Sequence, residues 1–321
     1  MVATSGVGMG ALAAAEPPVA SASLDEVLVT GERPGPGMWR VSKENHDLWI
    51  LATLEPLPKK MTWRSQAVEA RIAASQSVLA PPQVEPRIGF FRGLTLLPSV
   101  MRARSSPDGE TLEQALPHEV YMRWLALRVM YLGGSDEHLR PMLAAFDLYT
   151  HALDQSGLSS DDSVWTVVQQ TARKHGVPIV PVVLELSIED PKGAIRELGQ
   201  IPRAAEVDCL ESTVKRLETD LQPMRQRANL WSLGDVEGLR AARYPEERIA
   251  CLDALYSVPK LRDQVAEAKT KLTGAWLAAA VSALDKNIST FAVLPIAALL
   301  KTPGGWLDLL RTQGYSVQEP R

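Results

Sequence analysis

Apolar and polar positions alternate with two different periods along the chain, and each period predicts a different element. Strands are predicted over Met38–Val41 and Leu48–Leu54, and the second is almost continuously apolar, as in a strand covered on both faces. A helix over Arg64–Ser77 and a short strand over Ser77–Ala80 follow. A strand, a helix and a second strand in this order form a βαβ unit, which predicts a parallel sheet.

Helical periodicity dominates the centre of the chain. Helices are predicted over Leu116–Gly133, Pro141–Gln155 and Ser163–His175, and Gly176 ends the last of these as a C-cap. Residues 190–286 are almost entirely helical, and the final helix runs from about Leu261 to Lys286. One buried face of that helix is marked by apolar residues four positions apart: Leu272, Trp276, Ala280 and Leu284.

Strand patterns return on both sides of the helical segment. Val177–Leu184 is β-branched but contains two prolines, which predicts an irregular or edge strand. Ser289–Leu294 is a further strand, Gly305–Thr312 a helix and Gly314–Val317 a closing strand. The sequence therefore predicts one α/β domain over residues 38–321. Its mixed, mainly parallel central sheet is flanked by helices and carries a large helical insertion at about 190–286.

Residues 1–15 are small and apolar and end in an Ala-x-Ala pattern at Ala13 and Ala15. This pattern is typical of the end of a secretory signal peptide, although no Lys or Arg precedes the run. The alternative is a disordered Ala-rich tail. No apolar run approaches the ~20 residues of a membrane helix, so we expect a periplasmic or secreted protein that does not span a membrane.

Residues 16–37 are rich in Pro, Ala, Ser and Gly, which is typical of a flexible linker. Within them, Leu24–Glu32 is β-prone and resembles the short strand-forming box of TonB-dependent receptors. Such a segment either adds a strand to the sheet edge of a periplasmic partner or is a simple tether.

Charge and cysteine content narrow the classes of function. The 321 residues contain 34 Lys and Arg against 38 Asp and Glu, and this net charge of −4 disfavours nucleic-acid binding. Cys209 and Cys251 are the two cysteines, and each lies in a predicted helix. In an oxidising compartment they either form a disulfide or remain as two buried thiols.

Segments at both ends of the chain resemble the TraB/GumN family, which is related to the Tiki metalloproteases and the ChaN-like proteins. The resemblance covers nearly all of residues 38–321. It is carried by Met38–Val41, Leu48–Pro58, Asp108–Leu112, Leu139–Pro141, Leu230–Leu239, Phe291–Leu294, Gly305–Arg311 and Gly314–Val317.

The resemblance implies two βα-rich halves around one sheet, with helices inserted between them. For active members it also implies a metal-dependent hydrolase. Their site uses a Gly-Thr-x-His motif after the first long strand and a Glu at the end of the next strand. It also uses a Gly-x-x-His motif after the penultimate strand and an Arg on the preceding helix.

The sequence departs from this pattern at every one of these points. Ala52-Thr53-Leu54-Glu55 stands at the first motif, so Glu55 replaces the His and only Thr53 survives. The other three positions fall on Ala80 or Pro81, on Leu294–Leu299 and near Leu272 or Thr273. A catalytic metal typically needs three converging protein ligands, so we expect no bound metal and no cofactor.

These departures predict a binding or interaction protein that has lost metal-dependent hydrolysis. Its partner would be a periplasmic protein, or a small ligand or peptide in the cleft. The alternative is a divergent, protease-like hydrolase in which Glu55 and Glu185, with Thr53 nearby, supply an acid–base pair. We predict surface or capping roles for the five histidines, His46, His118, His138, His151 and His175.

Overall fold

The structure is a computed structural model, and it describes residues 35–87, 90–134, 136–160, 163–188, 190–242, 250–301 and 303–320. The predicted signal peptide and the β-prone segment Leu24–Glu32 lie outside these residues.

A six-stranded mixed sheet forms the centre of the described part, with strand order β10-β1-β2-β9-β4-β7. Strands β2, β9, β4 and β7 are parallel to one another, whereas β1 pairs antiparallel with both β2 and β10. The sheet strands are β1 (Met38–Lys43), β2 (His46–Thr53), β4 (Ser77–Leu79), β7 (Ile179–Val180), β9 (Ser289–Pro295) and β10 (Ser316–Gln318). The predicted α/β class with a mainly parallel sheet is confirmed.

The described residues also form two strand pairs outside this sheet. A short antiparallel pair joins β3 (Leu57–Pro58) to β6 (Leu158–Ser159). A parallel pair joins β5 (Gln83–Arg87) to β8 (Val183–Ser187). The predicted strand Val177–Leu184 therefore divides into β7, at the edge of the sheet, and β8, in the separate pair.

Helices cover the sheet and build a second layer. They are α1 (Gln66–Ala73), α2 (Phe90–Arg104), α3 (Leu112–Ala115), α4 (His118–Tyr131), α5 (Pro141–Gln155), α6 (Ser163–His175), α7 (Pro191–Leu198), α8 (Arg203–Ser232), α9 (Val236–Ala241), α10 (Ala250–Tyr256), α11 (Pro259–Lys286), α12 (Ile296–Leu300) and α13 (Trp306–Thr312). Helices α5 and α6 have the predicted bounds. Gly176 follows α6 with a φ of 67°, a left-handed conformation that suits a C-cap glycine.

The parallel pairing of β2 with β9 is the centre of the sheet. Residues Ile50–Leu51 and Phe291–Leu294 are fully buried, because helices cover both faces at this point. The predicted βαβ unit is present, since β2 and β4 run parallel with α1 between them in sequence. Strand β9 lies between the two in the sheet, so they are not hydrogen-bonded neighbours.

A second hydrophobic core lies within the helical layer. It is built mainly by α4, α5, α8 and α10, so the predicted insertion at 190–286 supplies only part of this layer. Cys209 of α8 and Cys251 of α10 form a disulfide in the structure. Cys209 is fully buried among the apolar residues of this core.

Helix α8 belongs to both cores. Its N-terminal half contributes Leu210 and Leu217 to the helical core, and its C-terminal end contributes Ala228 and Trp231 to the sheet core. The indole Nε1–H of Trp231 donates a hydrogen bond of 2.8 Å to the carbonyl oxygen of Ala52 on β2. The ring of Trp231 also meets Trp63 edge to face, with 5.5 Å between centroids. Trp231 therefore attaches the long helix to the central strand.

We expect Trp231→Phe to lower the free energy of unfolding by about 1 kcal/mol more than Trp276→Phe, because only Trp231 loses a hydrogen bond. Trp276 of α11 is equally buried, and its Nε1 has no hydrogen-bond partner among the described residues. Urea denaturation of both variants and the wild type measures the difference. Equal losses would show that the bond to Ala52 adds nothing to stability.

We also expect the double variant Cys209→Ala/Cys251→Ala to lose about 2–4 kcal/mol of stability, because the bond closes a loop across a separation of 42 residues. Denaturation with and without a reducing agent tests this expectation. The wild type should weaken on reduction and the double variant should not respond. A wild type that is insensitive to reduction, with two titratable thiols, would favour the buried-thiol alternative.

Candidate functional site

A cavity of about 430 Å³ opens where β2 and β9 end. The carboxyl ends of parallel strands are the usual place for ligand sites in α/β sheets. Its lining is Thr53, Leu54, Glu55, Arg216, Arg227, Arg240, Pro295, Ile296, Ala297, Leu300 and Lys301. Among the described residues, the lining thus combines apolar side chains with one carboxylate and four cationic side chains.

The two strand ends form the floor of the cavity. Thr53 is opposite Pro295 in the parallel register, and its Oγ1–H donates to the carbonyl oxygen of Leu294 over 3.4 Å. Leu54 and Ile296 are buried beside them, whereas Glu55 is exposed. The segments that the resemblance matches to the two His-containing motifs therefore adjoin in space.

Helix α8 supplies the most buried charges of the cavity. Arg227 is 5% exposed, and its two terminal nitrogens each donate to one carboxylate oxygen of Asp220 over 2.8 Å. Arg216, one turn before Asp220, places its Nε 3.6 Å from the same carboxylate. Its guanidinium carbon lies 4.6 Å from the centroid of the Tyr149 ring, in cation–π geometry. Two arginines therefore share one carboxylate.

Arg240 of α9 and Lys301, directly after α12, add positive charge at the more exposed side. Arg240 forms an ion pair of 3.0 Å with Glu319, which lies after β10. Two carboxylates outside the lining pair with its arginines: Asp220 with Arg216 and Arg227, and Glu319 with Arg240.

The buried stripe of α8 explains how these charges come to lie inside. Buried positions recur every three or four residues along the helix, at Glu206, Leu210, Thr213, Leu217, Asp220, Met224, Arg227 and Trp231. Asp220 and Arg227 are seven residues apart and therefore occupy equivalent positions of this stripe. Sequence reasoning missed Arg216, Asp220, Arg227 and Arg240. Asp220 and Arg227 occupy positions of this long helix at which its periodicity predicts apolar residues. This departure from the pattern was the signal that could have revealed the pair.

The sequence profile of the TraB/PrgY/gumN family matches residues 37–319. The chain belongs to the TraB/PrgY/gumN family. No curated protein and no solved structure is significantly similar to it. Because the match covers nearly all of the described residues, the cavity lies within the family domain.

The cavity does not fit the divalent metal that the resemblance to active family members implies. Among the described residues of its lining, the carboxylate and hydroxyl side chains are those of Glu55 and Thr53, whereas a catalytic metal typically needs three protein ligands. The other described side chains at the strand ends are apolar, and the four cationic side chains would repel a metal cation. Among the described residues, no group of three or more His, Cys, Asp and Glu could hold a metal ion.

The structure places Glu185 apart from Glu55. Glu185 lies on β8, forms an ion pair with Arg87 of β5, and lines a different pocket beside α7 and α11. The two carboxylates therefore line separate pockets and share no cleft through which they could act on one substrate. The acid–base pair of the alternative hypothesis gains no support from this arrangement.

The five histidines lie on separate elements. His46 is half-buried and contacts the carbonyl oxygen of Leu284 through Nδ1, and the other four are exposed. Nδ1 of His138 is 3.0 Å from the carbonyl oxygen of Gly109, and that of His151 is 2.8 Å from the carbonyl oxygen of Asp147. None of the five lines the cavity. In the described part of the chain, no helix combines the length and the apolar character that crossing a bilayer requires.

We expect Asp220→Asn to lower the free energy of unfolding by about 3–5 kcal/mol, because the buried guanidinium of Arg227 would lose the carboxylate that accepts two of its hydrogen bonds. Glu218→Gln is the matched control on the same helix. Glu218 pairs with Arg123 at the surface, and surface pairs typically contribute about 0–1 kcal/mol. Chemical denaturation of the two variants measures both effects. Similar losses would show that the Asp220–Arg227 pair behaves as a surface pair.

Proposed function

We propose that the chain is a binding member of the TraB/PrgY/gumN family that has lost metal-dependent hydrolysis and holds a ligand in the cavity at the ends of β2 and β9. The observation that carries the proposal is the lining itself. At the ends of β2 and β9, where two of the metal motifs would lie, the described lining offers Thr53 and Glu55 beside apolar side chains, and four cationic side chains of other segments surround them.

The size and chemistry of the cavity support binding. Its volume of about 430 Å³ falls within the range of about 300–1,000 Å³ typical of small-molecule sites. Apolar side chains from both strand ends form one part and charged side chains form another. Such a combination can bury the apolar part of an organic ligand and fix its orientation through the charged side chains.

We further propose a periplasmic or secreted location, supported by the Ala-x-Ala pattern that ends at Ala15. The ligand in that compartment would be a small molecule, a peptide or a segment of a periplasmic protein. The oxidising environment would also favour the Cys209–Cys251 disulfide.

The test is a metal titration of the full chain by calorimetry with Mn²⁺, Co²⁺ and Zn²⁺, accompanied by protease and esterase assays with each ion. We expect no stoichiometric heat and no metal-dependent hydrolysis, because the described residues of the cavity do not supply three converging metal ligands. Glu55→Ala and, as a control, the exposed Glu113→Ala should both behave as the wild type. Stoichiometric binding with hydrolysis, both lost in Glu55→Ala and retained in Glu113→Ala, would overturn the proposed function.

A further inference from the structure

We propose that the outer edge of β8, the side away from β5, docks an extended, uncharged peptide segment of a partner protein, which pairs with β8 as an added strand. The site is a second pocket of about 470 Å³ beside β8, α7 and α11. Its described lining shares no residue with the cavity at the ends of β2 and β9. The proposal is therefore independent of the proposed function.

The position of this pocket at the outer edge follows from its lining. Among the described residues, the lining includes Leu184, Glu185 and Leu186 of β8 and none of β5, although β5 pairs with β8 along its whole length. A pocket on one face of the pair would contact both strands. In the described part of the chain, β8 has no other strand partner than β5, so its outer edge is available to a further strand.

The hydrogen bonds of the pair identify the backbone groups at the outer edge. The N–H of Gln83 donates to the carbonyl oxygen of Val182 over 3.0 Å, and the N–H of Ile188 donates to a carbonyl oxygen of β5 over 3.3 Å. Because the backbone groups of successive residues in a strand point to opposite edges, the even-numbered residues of β8 bond to β5. The N–H and C=O groups of Val183 and Glu185 therefore point away from β5. Neither residue has a backbone partner at that edge among the described residues.

The opposite wall of the pocket is helical and is about as long as the strand. Helix α11 packs against β8, and its lining residues extend from Lys260 to Lys271, about 16 Å along the helix axis. The lining residues from Leu184 to Ile188 span about 13 Å of extended chain. The pocket is thus an elongated groove beside an edge strand. Peptides bind such edges by strand addition, in which main-chain hydrogen bonds give affinity and the surrounding side chains give specificity.

The charges of the groove indicate an uncharged peptide. Each acidic side chain of the described lining has a cationic partner: Glu185 with Arg87, Asp190 with Arg196, Glu197 with Lys260 and Glu267 with Lys271. These four pairs also include both lysines of the lining, so a charged side chain of the peptide would gain a partner only by breaking a pair. The rest of the described lining is Gln264 and apolar side chains, among which Leu186 is 41% exposed. Uncharged and apolar side chains therefore fit this groove.

A second copy of the chain fits the outer edge less well than a peptide. Two-fold pairing of β8 with β8 over its full length is centred on Glu185, the middle residue of the strand. The two Glu185 carboxylates would then be direct neighbours, and like charges opposite each other destabilise a strand pair. A peptide without charged side chains avoids this repulsion.

The experiment is calorimetry of the full chain with capped six-residue peptides. The first probe alternates Thr and Val and carries no charge. The second has N-methyl groups on its two central residues, which removes one N–H from each of its edges. Two further probes carry Lys or Glu in place of each Val. We expect the first probe to bind with a Kd below about 1 mM and the other three to bind at least about fivefold more weakly, since one hydrogen bond typically contributes a factor of this order.

Glu185→Pro tests the edge itself. Proline removes the N–H at this position and places its ring at the outer edge, whereas the hydrogen bonds to β5 use the neighbouring residues. We expect this variant to bind the first probe at least about tenfold more weakly. Glu185→Ala is the matched control, because it keeps the N–H, and it should bind as the wild type does. Leu186→Pro removes an N–H that bonds to β5, so it should unfold at a lower urea concentration than Glu185→Pro.

A second variant tests the opposite wall and keeps the experiment informative if Glu185→Pro fails to fold. Ala268→Arg fills the groove from α11 and should also weaken the first probe at least about tenfold. Ala266→Arg is its control, because Ala266 is exposed on the same helix and does not line the groove. Circular dichroism checks the fold of each variant.

Four results would overturn the proposal: no binding of the first probe at about 1 mM, equal binding of the N-methylated probe, equal binding of the charged probes, or binding that is unchanged in both Glu185→Pro and Ala268→Arg. A dimer in sedimentation that Glu185→Pro dissociates would assign the edge to a second copy and would also overturn it. The metal titration and the hydrolysis assays do not depend on this groove, so each of these results leaves the proposed function standing.

Discussion

The parallel pairing of β2 with β9 is the constraint on which the rest of the structure depends. The two strands are more than 230 residues apart in sequence, yet Thr53 and Pro295 are register partners. Because both strands run in the same direction, the segments that follow them leave the sheet at one edge. The floor of the cavity is the direct result of this pairing.

The long helix α8 then decides what kind of cavity forms there. It crosses from the helical core to the sheet core and is attached to β2 through Trp231 and the carbonyl oxygen of Ala52. Asp220 and Arg227 lie on its buried stripe, after the residues of the helical core and before those of the sheet core. A charged pair is tolerated at this position because each guanidinium nitrogen that faces Asp220 meets a carboxylate oxygen. The same pair fixes the cations beside the strand ends.

The elements could be predicted from the sequence where a strand is buried on both faces or where a helix is bounded by residues that favour helix ends. Leu48–Leu54 is continuously apolar because both faces of β2 are covered, and α5 and α6 are bounded by Pro141 and Gly176, which suit helix ends. The insertion of β9 between β2 and β4 could not be predicted, since strand order depends on contacts distant in sequence. The cationic side chains of the cavity were missed for a similar reason. Whether Arg227 faces solvent or the interior is decided by what packs against α8. Glu185 was grouped with Glu55 because both follow apolar strands, but β8 belongs to a separate pair of strands.

The disulfide also determines how the chain around the cavity stays connected if the backbone is cut. Cys209 and Cys251 enclose Arg216, Asp220, Trp231 and Arg240 in one covalent ring of the chain. A protease that cuts the backbone once inside this ring opens it without releasing either fragment. The disulfide joins the two pieces while their helices stay packed. The arginines that line the cavity can therefore keep their positions after a cut that would otherwise divide the protein. The crosslink therefore keeps the two fragments of a nicked chain together around the cavity.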